Sequence, residues 1–185
     1  MKAGVLALQG DFREHVRVLA EAGATPLEVR TAEDLSRVDC LIIPGGESTA
    51  IGKLARRYDL VEPVRARAAE GMPILGTCAG LIVLARRVSG GEPLFGLMDI
   101  GVERNAYGPQ VESFETDLTV QGIDHTVRGV FIRAPRITDV GPDVRVLARL
   151  GGDPVVLEQD NLLVASFHPE LVGETGLHRY LLQKI

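Results

Sequence analysis

Cysteine is scarce in this 185-residue chain, Cys40 and Cys78 being its only two. A chain of this length buries roughly 70% of the surface its unfolded form exposes, so it needs no disulfide staple. Two such thiols read as reduced, which sets aside a secreted scaffold and gives the expectation of a cytoplasmic protein. No pair of histidines or cysteines has the spacing of a metal site, so no metal is expected. Long apolar runs are missing too: none nears the eighteen or so residues a membrane span needs. The N-terminal residues enter a strand-like pattern directly, with no signal-peptide layout. Positive charge is also short. The formal net charge of -5 argues against a general nucleic-acid binder, which carries a basic face. Lysine occurs only at Lys2, Lys53 and Lys184, a bias toward arginine that carries no functional reading. Repeats, linkers and low-complexity segments are absent, and one domain over residues 1–185 is expected.

What is present is an alternation of buried strands and helices. Residues 4–8 form a continuous apolar run, as in a strand covered on both faces. Asp11 and Glu14 have the spacing of a capping box for a helix carrying Phe12, Val16, Leu19 and Ala20 on its inner face, ended by Gly23. Strands follow at 27–29, 41–43 and 74–75, with helices at 50–57, 61–70 and 81–88. Between 101 and 150 the pattern turns to short strands (116–120, 130–133, 144–150) with an antiparallel character. Strands at 155–158 and 162–167 and a helix at 175–183 close the chain. The alternation predicts an α/β domain with a mostly parallel central sheet flanked by helices and a small antiparallel addition.

Ligands of open α/β sheets bind beyond the carboxyl ends of the strands, which nominates the loops at 44–48, 76–80 and 167–170. Gly76-Thr77-Cys78-Ala79-Gly80 follows a strand and opens a helix, the layout of a nucleophile elbow with Cys in place of Ser. Such a turn is cramped, a helix N-terminus favours thiolate over thiol, and the Ala79 N–H would point at a developing oxyanion. The competing reading is a buried packing cysteine. A thiolate nucleophile needs a base, and only His15, His125, His168 and His178 are available. His15 and His178 fall on helices at expected surface positions, and His125 on a turn. His168 follows the strand ending at Phe167, on the same sheet edge as the elbow. Glu170, two residues on, lies on the same side if the chain stays extended and can orient the imidazole. The loop Pro44-Gly45-Gly46-Glu47-Ser48-Thr49 leads into a helix but is no phosphate loop. Five residues, rather than four, separate Gly46 from Gly52-Lys53, and Leu54 stands where Ser or Thr belongs. No dinucleotide fingerprint occurs either. Arg104 and Arg133 sit beside apolar strands, where each reads alone as a structural arginine.

Together these segments resemble the class I glutamine amidotransferases, and among them the glutaminase subunits of pyridoxal 5'-phosphate synthase. The likeness runs nearly end to end, through residues 4–10, 44–49 and 76–80, Arg104-Asn105-Ala106-Tyr107-Gly108, Val111-Glu112-Ser113-Phe114, Phe131-Ile132-Arg133-Ala134-Pro135 and Phe167-His168-Pro169-Glu170-Leu171. It implies a flavodoxin-like fold and a triad of Cys78, His168 and Glu170. It also implies a glutamine site of Gly46, Glu47, Ser48, Arg104, Ile132 and Arg133, with backbone N–H groups of Gly46 and Ala79 as oxyanion donors. One departure is Pro109, where the family usually has Arg.

The implied reaction is hydrolysis of L-glutamine to glutamate and ammonia through a Cys78 thioester, with no cofactor. The implied partner is the synthase (lyase) subunit, which condenses the ammonia with a pentose phosphate and a triose phosphate; no nucleic acid or membrane is involved. Two other classes fit parts of the pattern. A different cysteine hydrolase on the same sheet would take its acid from near the elbow, where Glu47 is the candidate. A silent regulatory subunit would be expected to lack one of the three triad residues, all of which are here. Cys40 reads as core.

Overall fold

A computed structural model describes residues 1–104 and 113–185. The first half is built of β1 (Lys2–Leu6), α1 (Phe12–Glu21), β2 (Thr25–Val29), α2 (Ala32–Ser36), β3 (Cys40–Ile43), α3 (Ser48–Arg57), α4 (Val61–Ala69), β4 (Ile74–Thr77) and α5 (Ala79–Leu84). The second half is mostly extended: β5 (Ala85–Ser89), β6 (Met98–Glu103), β7 (Phe114–Leu118), β8 (Val127–Phe131), β9 (Arg136–Val140), β10 (Arg145–Leu150), β11 (Asp153–Gln159) and β12 (Leu162–Ala165), then a 3₁₀ turn at Glu170–Val172 and α6 (Gly176–Leu182).

The main sheet has seven strands in the order β10-β11-β12-β4-β3-β1-β2. Five of them, β2, β1, β3, β4 and β12, run parallel. Their order is that of a flavodoxin-like doubly wound sheet. β11 and β10 extend it as an antiparallel edge. Alternation along each strand splits the core in two. Leu41 and Ile43 face a cluster with Ile51, Val64 and Leu81 from α3, α4 and α5. Cys40 and Ile42 face the other cluster, with Leu19 of α1 and Leu177 and Leu181 of α6. Cys40 is therefore core, as expected, and burial pushes its thiol up to about 12. Pro26 is tolerated inside β2 because that strand is the sheet's edge.

Two smaller sheets form the addition: β5-β6-β9, in which only the β6-β9 pairing is antiparallel, and the antiparallel β7-β8 pair. They correct the reading of 81–88 as one helix. α5 stops at Leu84, Ala85 turns extended (φ -64, ψ 142), and β5 runs parallel to β6. Arg87 is then held by Asp99 and Asp139 (2.7 Å to Asp139 Oδ2). An apolar run of four residues carries no period that separates helix from strand, and a partner strand decides it. The capping box at Asp11 is also absent: its side chain makes no cap bond, and its N–H donates to the Gly45 carbonyl instead (3.2 Å).

Candidate active site

The carboxyl ends of β1, β3, β4 and β12 deliver four loops to one edge of the sheet. β4 runs into Cys78, which has φ 48 and ψ -103, a left-handed conformation that costs a non-glycine residue roughly 1–3 kcal/mol. The turn is held from both sides. The Cys78 N–H donates to the Ala165 carbonyl of β12 at 2.9 Å. The two flanking glycines are there for space rather than for φ. A Cβ on Gly80 would lie 2.0 Å from the Ile43 carbonyl oxygen, and one on Gly76 would lie 2.7 Å from the Gly80 backbone. Ala79 is the first residue of α5, and helices leave their first N–H groups without intrahelical acceptors.

His168 is placed by two contacts. Its backbone forms a bridge to Val130 of β8, N–H to carbonyl at 2.8 Å in one direction and 3.3 Å in the other. Its ring Nδ1 lies 2.8 Å from Glu170 Oε1. β12 ends at Ala165 rather than Phe167, and Glu170 opens a 3₁₀ turn behind Pro169 (φ -72, ψ -29). The i+2 contact is thus made by a tight turn, not by the extended chain the sequence suggested, because Pro169 takes helical angles. Burial works against the imidazolium, but bonding to Cys78 and Glu170 overcomes it and pushes His168 up to about 10. Burial raises the Glu170 carboxyl, against the lowering effect of His168.

One cavity of about 500 Å³ is lined by Gly46, Glu47, Ser48, Cys78, Ala79, Arg104, Ile132, Arg133 and His168. Every residue nominated from sequence except Glu170 borders it. Glu170 is fully buried behind His168. Among the described residues Asp11, Ile82 and Leu171 also line it, and these were not foreseen. Gly46 has φ +142 and no room for a Cβ, which would meet Gln9 Oε1 at 2.5 Å. That same Gln9 oxygen accepts the Glu47 N–H at 2.8 Å. The Glu47 carboxylate caps α3, accepting from Thr49 N (3.0 Å) and Ala50 N (2.7 Å). Burial opposes its charge, yet these donors hold the carboxyl below its ordinary value. Arg104 Nη1 donates to Ser48 Oγ and Thr49 Oγ1, both at 3.2 Å. Arg133 has φ 45, an uncommon left-handed position for an arginine. Asn105, Ala106, Tyr107, Gly108, Pro109, Val111 and Glu112 lie outside the described residues.

The expectation that His15 and His178 face solvent is overturned: both are fully buried. The inner face of α1 centres on His15, Val18 and Leu19. Phe12 and Val16 pack against the same core as expected, while Ala20 is exposed and His15 takes an inner place because it finds partners there. Asp11 Oδ2 lies 3.4 Å from His168 Nδ1. Asp11, His168 and Glu170 bring three donor atoms within 4.8 Å of one another. Two are already joined as an imidazole–carboxylate bond, and no metal role follows.

The sequence matches the model of the SNO glutamine amidotransferase family over residues 5–185. It is 54% identical to the pyridoxal 5'-phosphate synthase subunit PdxT of Parafrankia sp. (strain EAN1pec), covering 98% of this chain and 92% of that relative. It is also 54% identical to the subunit of the same name from Pelotomaculum thermopropionicum, over 100% of this chain and 95% of the relative. The fold superposes with a TM-score of 0.94 on a crystal structure of a glutamine amidotransferase, 52% identical and covering 98% of this chain and 97% of that one.

Proposed function

The chain belongs to the SNO glutamine amidotransferase family, and from that premise we propose that it hydrolyses L-glutamine at Cys78 and passes the ammonia to a pyridoxal 5'-phosphate synthase subunit. The observation that carries this reading is the strained Cys78 elbow opposite a His168 ring whose far nitrogen is bonded to the buried Glu170.

In this mechanism the Cys78 thiolate attacks the side-chain amide carbon of glutamine. The oxyanion is assigned to backbone N–H groups of Ala79 and Gly46, with the site completed on docking to the synthase subunit. Imidazolium His168 gives its proton to the departing nitrogen, and ammonia leaves with a Cys78 thioester behind. His168 then takes a proton from water, whose oxygen attacks the thioester and releases glutamate and thiolate. Glu170 holds the ring and balances its charge through both steps. Arg104 and Arg133 supply cationic groups for the substrate carboxylate, and the Gly45-Gly46 loop shapes the wall beside it.

The names of the relatives support a synthase subunit as partner. Ammonia released to water is protonated and lost as a nucleophile, so coupling requires docking before release. Among the described residues no helix is long and apolar enough to cross a membrane. We place the reaction in the cytoplasm, where Cys40 and Cys78 persist as free thiols. The test is glutamate release from glutamine by the purified chain, alone and with a synthase subunit, beside Cys78→Ala. Turnover that rises with the partner and disappears in the variant is expected. Turnover surviving in Cys78→Ala overturns the reading, and turnover indifferent to the partner removes the pairing.

A further inference from the structure

Behind Glu170 lies a buried histidine pair that the proposed mechanism does not use. His15 Nδ1 of α1 meets His178 Nε2 of α6 at 2.8 Å. On its other side His15 Nε2 faces two oxygens, Thr77 Oγ1 at 3.1 Å and Glu170 Oε2 at 3.5 Å. Glu170 Oε2 has no hydrogen bond of its own, and neither has His178 Nδ1. The remaining charged neighbours are His168 and Asp11 beside Glu170 and Glu174, whose backbone faces His178.

Counting protons decides the arrangement. Two neutral imidazoles carry two ring protons, and one is needed in the contact between the rings. The other sits on His15 Nε2, facing Glu170, or on His178 Nδ1, facing Glu174. A third proton is opposed by burial, which lowers His15 well below its usual value and His178 to about 4. With the proton at His178 Nδ1, the Thr77 hydroxyl can donate to His15 Nε2 and the Glu174 backbone can accept from His178, but the buried Glu170 Oε2 is left facing a bare nitrogen lone pair. With it at His15 Nε2, the bare atom is a neutral imidazole nitrogen. Leaving a buried charge unpaired costs more than leaving a neutral polar atom unpaired.

We propose that His15, held in its Nε2–H form by His178, is a positioning residue that donates to Glu170 Oε2 and keeps the carboxylate ionised and aimed at His168. The assignment rests on the triad roles given above. A closure of about half an ångström turns the 3.5 Å approach into an ordinary hydrogen bond. The pair thus gives Glu170 a donor without placing a second positive charge beside His168.

The experiment is the rate of Cys78 alkylation by iodoacetamide against pH, on the full chain, for two variants that divide the functions of the ring. In His15→Asn the amide replaces Nδ1 and keeps the link to His178. In His15→Gln it replaces Nε2 and keeps the donor at Glu170. The acid limb of the profile is expected to move up by about one pH unit in His15→Asn, a rate about tenfold lower on that limb. His15→Gln is expected to stay within about twofold of the parent. Equal shifts in both variants, or a shift in neither, overturn the proposal. Ring 15N shifts of the unsubstituted chain decide it independently of any variant's folding. Protons on Nε2 of both histidines support it, and protons on Nδ1 of both overturn it. Glutamate release that survives Cys78→Ala would instead remove the triad roles themselves.

Discussion

Substituting Gly45 by alanine adds one methyl group beside the reacting centre. Gly45 is not among the residues with left-handed φ, so its backbone accepts a side chain and any effect comes from contact alone. The new Cβ would lie 2.2 Å from His168 Cε1 and 2.8 Å from Nδ1. Carbon atoms rest at about 3.5–4.0 Å, so the ring must retreat by more than about 1 Å. Its bond to Glu170 is 2.8 Å long, and a retreat of that size takes it past hydrogen-bonding range. A misplacement of about 1 Å in a catalytic group costs on the order of 100-fold in rate. Overpacking of this kind costs about 1–3 kcal/mol of stability, which leaves the variant folded. The assay is kcat and KM for glutamine with the synthase subunit present, beside a urea melt. A kcat about 100-fold lower with KM little changed is the expected outcome. A kcat within about threefold of the parent, in a folded variant, would refute the claim that Gly45 is small in order to seat His168.

Gly80→Ala should behave differently, since its Cβ would lie 2.0 Å from the backbone oxygen of Ile43, which cannot swing aside. A loss above about 3 kcal/mol, read as failure to express as folded protein or a collapsed urea midpoint, is expected. Gly52→Ala should do the reverse. Gly52 lies inside α3 with its nearest contact, 3.4 Å away, at the end of the Arg56 side chain, so a gain of about 0.5–1 kcal/mol in a urea melt is expected. Stability should fall as pH drops from 6.5 toward 4. The folded pKa of His178 is about 4 against an ordinary 6.5, so the unfolded chain binds the extra proton in that window. The full shift amounts to about 3 kcal/mol. His15, also lowered, acts in the same direction. Glu170, raised by burial, opposes it above 4.5, and His168 is protonated in both states below 6.5. Urea midpoints at pH 7 and pH 5 measure the effect, with a shallower slope in His178→Gln. A midpoint that does not fall toward acid would contradict the burial of the pair.

The parts of the site readable from sequence were those fixed by local pattern. A buried strand followed by Gly76-Thr77-Cys78-Ala79-Gly80 specifies a strand–turn–helix elbow whatever the rest of the chain does. Likewise, Leu162 to Ala165 directs the chain, and with it His168, toward the same sheet edge. The parts that were missed depend on distant partners. His15 looks like solvent-facing polarity on a helix until His178, 163 positions away, supplies its bond. β5 looks like the continuation of α5 until β6 lies beside it. The bridge from Val130 that seats His168 leaves no mark in local periodicity. Asp11 fits the spacing of a helix cap, and only the approach of the Gly45 loop diverts it.

Construction of the nucleophile has an order in time. Cys78 is made early, but the carbonyl that accepts its N–H belongs to Ala165, and the strand beside β4 that carries that carbonyl is β12. A growing chain that stops short of residue 165 therefore has the thiol without one anchor of its bent turn. His168 lies 90 positions after Cys78, and the helix bearing His178 follows both. The emerging polypeptide thus carries its cysteine long before it carries a partner for it. The thiol can be switched on only after Ala165, His168 and Glu170 have followed it, and a product clipped ahead of α6 lacks His178, the partner of His15 behind Glu170.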